Sequence, residues 1–119
     1  MLNLDTHILL FALEGRLRPR ERQLLSDNRW GISDIVLWEI TKLKQRGRIT
    51  LGLESPALAK AIERLVIWPI DRNVCREMMS LDFASDPADE LIAATSLAYG
   101  VPLLTRDRRI RKSKLVKLA

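Results

Sequence analysis

Apolar residues along this chain come in short packets at two different spacings, and the alternation of the two predicts the architecture. Leu2 to Leu4 is a brief apolar run that stops at Asp5 and predicts a strand; His7 to Leu13 follows as a helix that runs out at Gly15. Pro19 to Ser26 predicts a second helix and Trp30 to Ile32 a second strand, after which Ser33 is expected to cap a helix reaching Gln45. Ser55 and Pro56 open another helix, with Leu58, Ala59, Ile62, Leu65 and Val66 on one face, before a short extended segment at Trp68, Pro69 and Ile70. Asp71 is expected to cap a helix to Leu81, and the next helix starts at Asp86 and ends at Gly100, a residue suited to the left-handed position after a helix. Val101 to Thr105 reads as a buried strand, and Leu115 to Ala119 as one more.

Strands that alternate with helices imply a mostly parallel sheet covered on both faces. The expected fold is therefore an α/β protein, a three-layer α/β/α sandwich, with residues 1–119 as a single domain. At 47% hydrophobic residues the chain can bury a core without disulfides or structural metal. Cys75 is the only cysteine, and the helical pattern of Val74, Met78 and Leu81 around it predicts a buried small side chain in a reducing, cytoplasmic setting. Trp30, Trp38 and Trp68 are spaced as core residues of separate elements. No apolar stretch approaches the roughly 20 residues of a membrane span, and Asp5 stands where a secretory leader would carry basic residues.

Charge changes the picture. Twenty Lys and Arg against 15 acids give a net charge of +5, and the excess is uneven. Arg106, Arg108, Arg109, Arg111, Lys112, Lys114 and Lys117 crowd the C-terminal segment around one acid, Asp107, and Lys42, Lys44, Arg46 and Arg48 form a second group. Such runs are either solvated faces or surfaces that attract phosphates, and charge alone does not choose between them.

The acids carry more information. In an open parallel sheet, ligands bind beyond the carboxyl ends of the strands. Asp5 ends the first strand, Asp107 follows Val101 to Thr105, and Asp89 falls in the first turn of the helix leading into that strand. Glu39 lies on a largely apolar helix after the second strand, where an unpaired carboxylate is costly and calls for a partner or an ion. Asp86 and Asp89 also have a purely local reading: Asp86 as cap, Pro87 at the first helical position, and Asp89 returning a hydrogen bond to the cap's backbone. Four acids from distant segments that meet at one sheet edge would repel one another and raise the pKa of at least one member. With Mg²⁺ or Mn²⁺, ions that prefer oxygen donors, the cluster becomes a site able to activate water against a phosphodiester. His7 is the only histidine, which excludes the usual zinc sets, and there is no glycine-rich nucleotide cradle.

Three stretches, LDTHILLFAL from Leu4, ISDIVLWEITKLKQRGRITL from Ile32 and DPADELIAATSLAYGVPLLTRDRRI from Asp86, resemble in order and spacing the PIN-domain family, and within it the VapC-type toxins of toxin–antitoxin pairs. The resemblance implies a metal-dependent ribonuclease in which Asp5, Glu39, Asp89 and Asp107 bind the metal, with Thr6 and Thr105 beside it. It also implies RNA as substrate, a homodimer, and a cognate antitoxin whose C-terminal segment wraps the toxin. Many relatives carry an arginine where this chain has Glu90, an extra acid that bears on metal affinity and partner docking. The competing reading is a non-catalytic RNA-binding module that uses the basic tail. A phospho-acceptor receiver domain would want a lysine at the end of a late strand, where Thr105 and Arg106 stand instead.

Overall fold

In the computed structural model, which describes residues 1–119, four short strands form one sheet: β1 (Leu2–Leu4), β2 (Trp30–Ser33), β3 (Val66–Trp68) and β4 (Leu103–Leu104). Their spatial order is β3-β2-β1-β4 and every pairing is parallel. The helices are α1 (Thr6–Glu14), α2 (Pro19–Asp27), α3 (Ile35–Gln45), α4 (Pro56–Arg64), α5 (Arg72–Met78), α6 (Pro87–Tyr99) and α7 (Arg108–Arg111). Leu2, Asn3 and Leu4 are all buried. Because successive strand side chains point to opposite faces, three buried in a row means that both faces of the sheet are covered.

The core joins Leu4, Ile8, Leu9, Ile32, Ile40, Ile92, Leu104 and Ile110, all at most 2% exposed, so strands and helices share one apolar interior. At the centre of that interior Asn3 is fully buried, and its side-chain amide donates to the carbonyl of Ile92 (3.0 Å) and to Ser96 Oγ (2.9 Å). A buried amide held this way ties β1 to α6 at a fixed height. Gly31 is required for a different reason: a Cβ there would run into the Trp68 ring, which lies across β2.

The structure departs from the sequence reading at several points. The third strand is Val66–Trp68, upstream of the expected extended segment at Trp68 to Ile70, because α4 stops at Arg64 and Pro69 cannot donate to a ladder. The N-cap of α3 is Asp34, with Ser33 ending β2 and its Oγ accepting from Ile35 N (3.3 Å). The last segment makes only a single parallel bridge, Leu103 to Leu118, in place of a full strand. Cys75 is exposed: α5 buries Val74, and the neighbouring position, turned about 100° around the helix, faces solvent. Trp38 is 52% exposed on the outer side of α3, whereas Trp68 is buried and Trp30 half-buried. No helix is long and apolar enough to cross a membrane.

Candidate active site

β1 and β4 are neighbours, so their carboxyl ends deliver two of the expected acids to one place. Asp5 is the N-cap of α1 and is 6% exposed; one carboxylate oxygen accepts from Thr6 N (2.8 Å) and the other from Thr105 Oγ1 (2.5 Å). Thr105 Oγ1 in turn accepts from Asp107 N (3.0 Å), and Asp107 caps α7 by accepting from Ile110 N (3.0 Å). A single threonine hydroxyl thus bridges the two strand-end acids. Glu39 reaches in from α3, where Thr6 Oγ1 donates to its Oε1, and Asp89 comes from the first turn of α6, where Ser85 Oγ donates to its Oδ2 (2.9 Å).

All four acids line one cleft of about 460 Å³, together with Asp86, His7 and Arg106. Asp86 holds the N-cap position of α6, yet its side chain makes no capping hydrogen bond, which corrects the expectation of a simple cap. The local alternative for Asp89 also fails, since its carboxylate is engaged by Ser85 Oγ while Glu90 Oε2 takes the backbone N–H of Ser85 (3.4 Å). Glu90, turned to that N–H, does not line the cleft. Thr6 and Thr105 each donate a hydroxyl hydrogen bond to an acid of the cleft.

The electrostatics follow from burial and crowding. Burial pushes the Asp5 carboxyl above the ordinary carboxylate range, against the pull of its hydrogen bonds from Thr105 and Thr6. Glu39 is raised by burial first, with repulsion from Asp5 and Asp89 adding to it. Asp89 is raised by burial and then by Asp5, Asp107 and Asp86. Arg106 lines the cleft without relieving this strain, because its guanidinium is held by the buried Glu21 through contacts of 2.6 and 2.8 Å and lies 4.2 Å from the Phe11 ring centroid. That ion pair joins Glu21 of α2 to an arginine 85 positions later, beside Asp107, and carried no signal in the spacing of charges.

The donor set has the chemistry of a hard divalent cation: every donor is a carboxylate oxygen, and Glu39 Oε2, Asp89 Oδ1 and Asp107 Oδ2 accept no hydrogen bond. The side chains stand around the cleft and are not drawn into a closed cage, since no three Asp, Glu, His or Cys groups are gathered as a preformed metal site.

The parallel α/β fold has clear counterparts. Residues 3–114 match the PIN domain family, and the chain belongs to that family. It is similar to Ribonuclease VapC22 of Mycobacterium tuberculosis strain ATCC 25618 / H37Rv, 29% identical over 117 residues that cover 93% of this chain and 90% of that protein. The fold is shared with VapBC2 from Rickettsia felis bound to a DNA fragment from their promoter (TM-score 0.76, 20% identity, 100% of this chain and 98% of that one). It is shared as well with VapBC-1 from nontypeable Haemophilus influenzae (TM-score 0.69, 21% identity, 100% and 97%).

Proposed function

We propose that the protein is an endoribonuclease of the VapC type, the toxin of a toxin–antitoxin pair, and that it hydrolyses RNA phosphodiester bonds in the cytoplasm with Mg²⁺ or Mn²⁺ as cofactor. The observation that carries this reading is the convergence of Asp5, Glu39, Asp89 and Asp107 on one cleft with none of them in an ion pair. A carboxylate cluster left in this state fits a cation better than it fits a purely structural role. A divalent ion held by these oxygens would polarise the phosphoryl group and make bound water acidic enough to attack at neutral pH. The chain's own part is to fix the donors. Asp5 is locked by Thr6 N and Thr105, Glu39 by Thr6 and Asp89 by Ser85, so each acid has a set orientation while oxygens on three of the four remain free.

The partner and the assembly rest on similarity. VapBC complexes share the fold, which supports a cognate antitoxin as partner, while a homodimer as the working form follows only from the family resemblance. An arginine supplied by the antitoxin would suit the cleft, since a guanidinium pairs two carboxylates and competes with the metal.

The test is cleavage of end-labelled RNA by purified protein in Mg²⁺, Mn²⁺ or EDTA, with Asp89→Asn alongside. Cleavage that needs the ion and disappears in Asp89→Asn is expected. RNA retained but never shortened, by a folded sample free of antitoxin, would point to the non-catalytic RNA-binding module instead.

A further inference from the structure

The acid cleft is the middle of a longer depression. It shares Asp86, Asp89 and Asp107 with a second cleft of about 470 Å³ that has no hydrophobic lining and is lined as well by Arg108, Arg109 and Lys112. With a third, of about 570 Å³, whose wall includes Arg16 and Arg48, it shares His7 and Phe11. The cleft that holds the four acids therefore joins two others, each lined in part by bases.

The basic residues differ in how they are engaged. Arg111 donates to the Thr105 carbonyl (3.1 Å), Arg109 to the Ala84 carbonyl (3.1 Å), and Arg16 to Glu14 (3.4 Å). Arg108, Lys112 and Arg48 have no side-chain hydrogen bond and no ion pair, although Asp86, Asp89 and Asp107 line the same cleft as the first two. Cations that border carboxylates without pairing to them are free to take an anion from solvent. A single strand of RNA offers phosphates at regular intervals along its backbone, so it meets bases in both adjoining clefts when its scissile linkage lies over the acids.

Building on the nuclease reading, we propose that the three clefts form one trench for single-stranded RNA, with Arg108 and Lys112 as a phosphate subsite on one side of the acids and Arg48 as the phosphate contact on the other. The subsite sets where along the strand the acids act. Arg109 donates to the Ala84 carbonyl and so links the helix that carries the subsite to the loop before α6, the helix of Asp89.

The experiment measures binding and needs no cleavage, so it fails separately from the nuclease reading. A fluorescent single-stranded RNA is titrated by anisotropy with the full-length Asp89→Asn protein, across about 50 to 200 mM salt, with Arg108→Ala/Lys112→Ala or Arg48→Ala added. Each phosphate contact to a single strand contributes about 0.7 to the slope of log affinity against log salt. Removing two is expected to flatten the slope by about 1.4, roughly a sevenfold smaller loss of affinity over that fourfold salt range, and Arg48→Ala by about half as much. The control Arg22→Ala/Lys60→Ala removes the same charge from α2 and α4, outside the trench, and is expected to leave the slope near that of the parent. Equal flattening by the control, an unchanged slope in the trench variants, or no RNA binding by the parent would each overturn the proposal. Arg108, Lys112 and Arg48 are exposed, so their substitution spares the core, and matching thermal melts verify it.

Discussion

Glu39→Gln separates what the acid cleft costs the fold from what it does. Gln keeps an acceptor for Thr6 Oγ1 and the volume of the side chain, and removes only the charge that burial, Asp5 and Asp89 disfavour. The carboxyl of Glu39 is raised above its ordinary value of 4.5, as those of Asp5 and Asp89 are raised above 3.8. Above those ordinary values the folded state holds protons that the unfolded chain has released, so stability declines as pH rises through the raised values. In EDTA at pH 7 the variant is therefore expected to be more stable than wild type, by about 0.5–2 kcal/mol, the usual gain from a substitution that relieves unfavourable charge. For a 119-residue chain the unfolding entropy is about 250 cal/mol/K, so the melting temperature rises by about 2–8 °C. Near pH 4, where both states carry the proton, the gain vanishes. If the cleft holds a divalent ion as proposed, the order is expected to reverse: an ion at a hundred times its dissociation constant would add about 2.7 kcal/mol, or about 11 °C, to wild type, and much less to a variant that has lost a charged donor. Thermal melts at pH 4 and 7, with EDTA, Mg²⁺ and Mn²⁺, read all of this. A variant that melts below wild type in EDTA at pH 7, or that gains as much from the ion, would refute the reasoning.

Two further substitutions probe the frame around the site. Arg106→Ala strands the carboxylate of Glu21, 6% exposed, and is expected to cost about 2–4 kcal/mol in urea unfolding, below the full value for a buried pair because the Arg106 side chain is 25% exposed; Glu21→Gln combined with Arg106→Met recovers most of it. Arg106 holds the Glu21 carboxyl below its ordinary value of 4.5, so the gap between wild type and Arg106→Ala is full above that pH and closes as pH falls through the lowered value. Gly31→Ala drives a methyl into the Trp68 ring and is expected to cost about 1–3 kcal/mol with a changed near-ultraviolet signal from Trp68, whereas Gly52→Ala meets only the movable end of Lys44 and costs less.

The elements that were legible in the sequence are those with a boundary residue whose chemistry acts alone. Gly15 and Gly100 both adopt the left-handed conformation that ends a helix, and Asp71 accepts from Val74 N as a cap should. Where the boundary depends on tertiary partners the pattern misleads. Leu65 and Val66 continue the apolar face of α4, yet pairing with Gly31 draws Val66 into β3. Four residues are too few to show a helical period, so α7 left no trace beyond its cap, Asp107. Among the site residues, Asp5 and Asp107 were legible from their place at strand ends, but the Ser85 hydroxyl on Asp89 depends on the loop before α6, and the Glu21–Arg106 pair on the packing of α2 against that edge. The basic tail looked uniform in sequence; in space Arg106 and Arg111 brace the fold while Arg108 and Lys112 stay free.

How the cleft's acids are held sets what they can do. A carboxylate can be oriented by an ion pair, which neutralises it, or by a hydroxyl, which does not. Here Thr105, Thr6 and Ser85 each donate to one acid, and neither of the chain's two ion pairs involves Asp5, Glu39, Asp89 or Asp107. The arginine best placed to intrude, Arg106, is kept away from them by Glu21. Orientation has thus been separated from neutralisation, in a chain with enough surplus base to have done both. The negative charge that remains is available to whatever cation enters, and an ion and a partner's guanidinium would compete for the same oxygens. Catalysis and its suppression would then draw on one reserve of charge, which predicts that Glu39→Gln weakens antitoxin binding along with metal binding. Isothermal titration with the cognate antitoxin measures the first and the thermal shift with Mn²⁺ the second; a variant that loses the ion yet binds antitoxin with wild-type affinity would show that the two do not share the cleft.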